Sequence, residues 1–288
     1  MEGDFFVLKS LCIKTNNKDI INYLLEDIEN LNIDNVYFSN HKFKIYTNMI
    51  IHYTGKDLTL FLTKLSYILT DMIIDFYELT IMKNLIFSNY FYFSSLEQKQ
   101  ILDLCLTNTN DELLEKTNLL SSDVFEYLLQ NKTLNLDGFI SFRIPKYIKF
   151  LDSIVDLCVN KFVIDREYIE FINMLKIYIN SKDSSCNKLH LIYRKQESIL
   201  LDENYKTVPY DASFAKAKFL SDVSFSSNDF ALNTLLTLLP AKLYIHSIDV
   251  EDEFINTLKL IFDDRVCICK DCDICKIYRS DFNNYTKV

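Results

Sequence analysis

The chain has 288 residues, 49% hydrophobic and 25% charged, with a net charge of −9. A chain of this size buries roughly three-quarters of its unfolded surface, which excludes disorder as its main state. Its three glycines, Gly3, Gly55 and Gly138, exclude a Walker loop or a dinucleotide fingerprint, because both cluster glycines where backbone approaches phosphate. No nucleotide cofactor is therefore expected. The acidic balance speaks against broad binding to nucleic acid or anionic lipid. The start, Met-Glu-Gly-Asp-Phe-Phe, lacks the basic region and cleavage site of a secretory signal. The most apolar stretch, Leu58 to Phe93, is broken by Lys64, Asp71, Asp75, Glu78 and Lys83, so no membrane span is expected. These features predict a cytoplasmic protein with reduced thiols.

In chain order, Phe5 to Lys14 reads as a strand. Asp19 to Leu31 reads as an amphipathic helix, with Ile20, Leu24, Ile28 and Leu31 three and four apart. Lys42 to Tyr46 and Met49 to Tyr53 form a predicted hairpin about Thr47 and Asn48. Asp57 to Phe87 has helical spacing but is apolar on most faces, as expected of a central packing helix. Ser94 to Thr107 is a helix capped by Ser94 or Ser95, with Glu97 or Gln98 reaching back. Two shorter helices come next, Asp111 to Lys116 and Ser121 to Gln130.

The polar turn at Asn131 to Asp137 divides the predicted domains, an N-terminal one over 1–135 and a C-terminal one over 136–288. Phe139 to Ile144 reads as a short extended segment. A helix then starts at Pro145, where a missing N–H costs nothing, and runs to about Val163. A second helix is expected from Asp165 to Ser181. Lys188 to Tyr193 and Ser198 to Leu201 read as a hairpin. Residues 203–224 read as a long loop, and Ser226 or Ser227 opens a helix that stops at Pro240. Lys242 to His246, Glu251 to Phe262 and Arg265 to Cys269 form a strand–helix–strand unit, whose two strands are expected to be parallel. The fold class is thus α+β: mostly helical, with a small N-terminal sheet and a C-terminal β-hairpin plus strand–helix–strand unit.

Four of the eight cysteines, Cys267, Cys269, Cys272 and Cys275, crowd into one short stretch. Thiolates two to three residues apart can wrap one metal ion. Zinc held by three or four of these sulfurs is one reading. An iron–sulfur cluster is another, because Cys269-x2-Cys272-x2-Cys275 matches part of a ferredoxin run. The spacing is tight for four ligands on one zinc, so His246, His190 or Cys186 are candidates for a fourth ligand. A redox pair and inert reduced thiols are the competing readings. Cys12, Cys105 and Cys158 are expected to pack as small hydrophobes.

Residues 138–179 interleave charges with aromatics. Arg143 can pair with Glu167 or Glu170, which share a helix face at i, i+3. These three are the candidates for acid–base chemistry, possible in a nucleic-acid-processing enzyme. Two amphipathic helices tied by ion pairs are the preferred reading, because catalysis needs a pocket that the sequence does not show. No G-x-S-x-G or H-E-x-x-H motif accompanies them.

Leu136 to Arg143 followed by Tyr147, and Asp165 to Phe171, resemble the central block of the YtxC-like sporulation proteins of spore-forming Firmicutes. Asp229 to Pro240 with Lys242 to His246 resembles that family's helix–proline–strand–histidine stretch. Ile261-Phe262, Arg265-Val266 and cysteines 269, 272 and 275 resemble its C-terminal end. The AT-rich style of the composition agrees with a clostridial source. The resemblance implies a role in sporulation with protein partners; it carries over neither an established activity nor catalytic residues, and so does not give the molecular function. A non-enzymatic binding or assembly factor is the expectation, with an enzyme or a thiol redox sensor as alternatives.

Overall fold

The computed structural model describes residues 9–30, 34–111, 113–194, 197–209, 226–247 and 250–276. It is an α+β fold, mostly helical, with two mixed four-stranded sheets. The chain divides into two compact units, Met1–Val163 and Ile164–Val288.

In the first unit, strands β1 (Lys9–Thr15) and β3 (Thr47–Tyr53) pair antiparallel, with Leu11 opposite Ile51 and Ile13 opposite Met49. Alternation along both strands sends these residues to one buried face. Helix α1 (Lys18–Asn30) covers it with Ile20, Ile21, Leu24 and Ile28. The edge strand β2 (Val36–Lys42) pairs with β3 and is exposed beyond Val36. The hairpin therefore turns over 43–46, where the Phe43 N–H donates to the Tyr46 carbonyl, and not at Thr47-Asn48 as the sequence predicts. Thr47 and Asn48 are paired strand residues.

Strand β3 leads into helix α2 (Leu58–Ile73) through Gly55. The Tyr53 ring stacks on Phe61 at 4.5 Å, and its hydroxyl donates to the Asp57 carbonyl and accepts from the Asp57 N–H. A Cβ on Gly55 would lie 2.2 Å from that hydroxyl, so only glycine fits. Asp57 in turn caps the helix by accepting from the Leu60 N–H.

Helix α2 is the central packing helix that its apolar sequence predicts, buried at Phe61, Leu62, Leu65, Ile68, Leu69, Met72 and Ile73. A π-turn over Ile74–Glu78 joins it to helix α3 (Leu79–Asn89). Helix α4 (Ser95–Asp111) begins with the expected reciprocal cap between Ser94 and Glu97. Helix α5 (Leu113–Gln130) takes the place of the second of two short predicted helices and reaches back over most of the first. Strand β4 (Thr133–Asn135) adds to β1 in parallel. Leu136–Phe142 forms helix α6 where the sequence suggests an extended segment; Asn135 accepts from the Gly138 N–H and starts it.

Pro145 opens helix α7, which runs without a break to Asn180. The two helices expected here are one, because no glycine or proline interrupts 146–180 and Asp165 is an exposed interior position. Leu136, Phe139, Ile144, Tyr147 and Leu151 belong to the first core, and Ile172 and Ile179 to the second. The chain thus passes between units inside α7, whereas the sequence pattern divides it at 135 and 136.

The second unit is built on a sheet of order β6-β5-β7-β8. Strands β5 (Cys186–Arg194) and β6 (Glu197–Leu201) form the predicted hairpin. Helix α8 (Ser227–Leu238) carries a full capping box between Ser226 and Asp229 and stops before Pro240. Strand β7 (Pro240–Ser247), helix α9 (Glu253–Phe262) and strand β8 (Val266–Cys269) form the expected strand–helix–strand unit, and β7 lies parallel to both β5 and β8. Leu189, Leu191, Leu243 and Ile245 face Leu235 of α8, Leu258 and Phe262 of α9, and Ile172 and Ile179 of α7 in one apolar cluster. No helix among the described residues is long and apolar enough to cross a membrane.

One feature of the first core is polar. The π-turn places Glu78 among apolar neighbours, where Lys116 of α5 donates to both carboxylate oxygens at 2.9 and 3.1 Å and the Tyr147 hydroxyl of α7 donates to one of them. All three side chains are buried. The pair is buried enough that removing one partner strands a charge. Lys116→Met is expected to destabilise the first unit by about 3–5 kcal/mol, and adding Glu78→Gln to recover at least half of that. Denaturant unfolding of the two variants checks it; equal stability of both single and double variants with the parent would contradict it.

Candidate metal centre

The site grows from β7 and β8. In β7 the residues alternate, so Leu243 and Ile245 enter the apolar cluster while Tyr244 and His246 turn to the opposite face. The parallel register sets His246 beside Cys269 of β8. Beyond Cys269 the chain bends and closes one helical turn, in which the Lys276 N–H donates to the Cys272 carbonyl at 2.9 Å. That turn swings Cys272 and Cys275 back over His246.

Four ligand atoms then converge. His246 Nδ1 is 3.3 Å from Cys272 Sγ and 3.3 Å from Cys275 Sγ, and those two sulfurs are 3.7 Å apart. One ligand atom from each of His246, Cys269, Cys272 and Cys275 lies within 4.8 Å of every other. A tetrahedral zinc ion with ordinary bond lengths separates two sulfurs by about 3.8 Å, and a sulfur from a nitrogen by about 3.5 Å. The spacings among His246, Cys272 and Cys275 could hold a single ion. The Cys275 N–H also donates to Cys272 Sγ at 3.4 Å, and Cys275 Sγ donates to the Cys269 carbonyl at 3.6 Å.

Electrostatics favour ligation. Burial, reinforced by His190, pushes the His246 pKa down to about 4, so the ring is neutral at neutral pH and offers a lone pair. Burial also pushes His190 down, with Lys188 adding to it. For Cys272, burial raises the thiol, but the Cys275 N–H and neighbouring thiols outweigh it and hold it below its ordinary value. Burial drives Cys275 up to about 11, so an incoming cation displaces its proton. A carboxylate is absent from the four-residue set, and sulfur with imidazole is a donor set that suits zinc or another thiophilic ion.

The remaining sequence candidates sit elsewhere. Cys267 lies one pleat before Cys269, opposite Tyr244, and is not among the converging four. Cys186 is at the start of β5 opposite Pro240, where its thiol donates to the Leu238 carbonyl at 3.7 Å. His190 does not reach the sulfurs as a ligand; its Nδ1 lies 3.0 Å from His246 Nε2. Arg143 is an exposed residue that ends α6 in the first unit. Glu167 and Glu170 are exposed on α7 in the second, and Glu170 pairs with Arg166 at 3.8 Å. Cys105 and Cys158 are buried in the first core, as their apolar surroundings predict. The buried Glu78–Lys116–Tyr147 group carried no signal that set Glu78 apart from Asp71 and Asp75 in the same apolar stretch.

A family model, the YtxC-like family, matches residues 63–267. The chain belongs to the YtxC-like family. Its matched residues cover the central helices, His190 and His246, and end at Cys267, so Cys269, Cys272 and Cys275 lie beyond them. The YtxC-like chain is also similar to the uncharacterized protein YtxC of Bacillus subtilis (strain 168), 22% identical over 194 residues, which span 64% of this chain and 69% of that one. No solved structure matches it.

Exposed charges on α7 have little to stabilise. Glu167→Gln and Glu170→Gln are each expected to change unfolding free energy by less than about 0.5 kcal/mol, since the Arg166–Glu170 pair is solvated. Thermal unfolding of both variants tests this, and a loss of several kcal/mol would show that these residues do more than decorate a helix.

Proposed function

We propose that this YtxC-like chain is a non-enzymatic binding or assembly factor acting in sporulation, with its C-terminal end organised by one zinc ion on His246, Cys269, Cys272 and Cys275. The convergence of these four ligand atoms within 4.8 Å carries the reading. Four protein ligands close the coordination sphere, and closed zinc sites are structural, whereas catalytic ones keep a position for water or substrate. A [4Fe–4S] cluster fits less well, because each of its irons takes one cysteine, which sets those sulfurs farther apart than 3.7 Å. The resemblance to sporulation proteins supports the cellular role. A reducing cytoplasm suits a thiolate-held ion, and a protein partner suits a chain with net charge −9 that gives nucleic acid no broad attraction.

A second reading has its own observation. The Cys272 and Cys275 sulfurs, 3.7 Å apart, are close enough that, once the ion is lost, peroxide can oxidise one thiol to a sulfenic acid that the other attacks, forming a disulfide with release of water, which makes the same turn a thiol redox sensor. The enzymatic alternative on Arg143, Glu167 and Glu170 gains no comparable support.

Anaerobic purification with elemental analysis tests the centre. The expected result is one zinc per chain without visible colour. His246→Ala, Cys269→Ser and Cys275→Ser are each expected to lose most of the metal, while Cys267→Ser and Cys186→Ser keep it. Iron with sulfide and a brown absorbance would replace zinc by a cluster. Metal-free protein whose thiols cycle with peroxide would favour the redox sensor.

A further inference from the structure

His190 stands outside the ligand set and yet is built into it. It lies on β5 opposite Tyr244 of the neighbouring strand β7, two residues before His246, and it is 5% exposed. Its ring is wedged against Tyr244 at 5.2 Å, Tyr205 at 4.8 Å and His246 at 5.3 Å. Nδ1 of His190 meets Nε2 of His246 at 3.0 Å. Two neutral imidazoles share such a bond only when one donates and the other accepts.

The other two ring nitrogens fix the positions of the protons. His246 Nδ1 faces the Cys272 and Cys275 sulfurs at 3.3 Å. An ion held there takes the Nδ1 lone pair, so the single proton of His246 must sit on Nε2. His190 Nδ1 then accepts it, and the single proton of His190 must sit on its own Nε2. That outer nitrogen is buried and has no hydrogen-bond partner among the described residues. Without the ion the opposite arrangement satisfies more groups. His190 Nδ1–H then donates to His246 Nε2, His246 Nδ1–H donates to a sulfur, and the unpartnered nitrogen is a bare acceptor, which costs less to bury than an orphaned N–H.

We propose that His190 is a positioning residue of the metal centre, which accepts the His246 Nε2–H and thereby holds His246 as an Nδ1 ligand, and that on metal loading the His246 Nδ1 proton leaves to water, the His190 Nδ1 proton passes to His246 Nε2, and His190 Nε2 takes a proton from water, so that each ring stays neutral and carries its proton on Nε2. The inference rests on the reading that His246 and the three cysteines bind the ion. It extends the centre across the sheet, from β8 through β7 to β5. It also turns the outer nitrogen of His190 from an acceptor into a donor when metal is present. Groups that orient a ligating imidazole in this way are worth 10–100-fold in metal affinity.

The test uses the full chain and zinc alone, titrated against a chelator of known affinity. His190→Ala is expected to weaken zinc about 10–100-fold with its far-ultraviolet spectrum unchanged. His190→Asn, whose side-chain carbonyl stands where Nδ1 stood, is expected to restore most of the loss. Long-range 15N–1H spectra of the unsubstituted protein read the proton positions directly. They are expected to show both rings protonated on Nε2 with zinc and on Nδ1 without it. Unchanged affinity in His190→Ala, or His246 protonated on Nδ1 in the zinc form, would overturn the role of His190 while leaving the centre intact. No zinc binding by the unsubstituted chain would instead overturn the centre itself.

Discussion

The second unit depends on the parallel pairing of β7 with a strand on each side. Parallel neighbours cannot be joined by a tight turn, so each pairing requires a crossover, and α8 and α9 supply the helices. These helices and the end of α7 cover one face with Leu235, Leu258, Phe262, Ile172 and Ile179. The same alternation that seals that face leaves His190, His246 and Cys269 on the other. A slip of one residue in β7 would drive His246 into the apolar cluster and turn Ile245 toward the sulfurs. Packing and ligand geometry are therefore a single constraint, imposed by the apolar residues and inherited by the polar ones.

The first unit solves a different problem. Its helices bury an almost wholly apolar interior, yet at the π-turn one carboxylate faces inward. A π-turn adds a residue to the helical repeat and so rotates the next turns of helix relative to the preceding ones. Here the rotation aims Glu78 at Lys116 of α5 and Tyr147 of α7. Three elements far apart in sequence are joined at one polar point inside an apolar core. Such groups seldom add much stability over apolar replacements, but they penalise arrangements that leave them unpaired.

A closed site of one imidazole and three thiolates acts on folding before it acts on anything else. The unfolded chain holds no such site, so the free energy of metal binding becomes free energy of folding. In this protein it would tie β7 to β8 and to the turn beyond Cys269, a stretch with only Cys275 fully buried. Under the proposed function the ion supplies what the short strand β8 cannot supply by apolar burial.

Much of this was legible in the chain of residues. Periodicity marked α1, α2, the β5–β6 hairpin and the strand–helix–strand unit, and capping chemistry marked Ser94, Pro145 and Ser226, because these signals are local. The cysteine spacing marked a cluster that could hold a metal ion, and of the histidines weighed as a fourth ligand His246 joins it and His190 does not. Other features were not readable. The continuity of α7 hides behind Asp165, which looks like a cap but lies in a helix that nothing interrupts. The hairpin turn at 43–46 lies one step from the polar pair that mimicked it. Cys267 and Cys269 share spacing and pleat, and only the register against β7 sets Cys269, not Cys267, beside His246. By itself the sequence determined most of the helices and strands, β2, β4 and α6 excepted, and which side chains can bind metal, since both are largely properties of residues and their neighbours. Which of those side chains meet was decided by tertiary structure alone, because strand register and crossovers are set by apolar packing between segments distant in sequence.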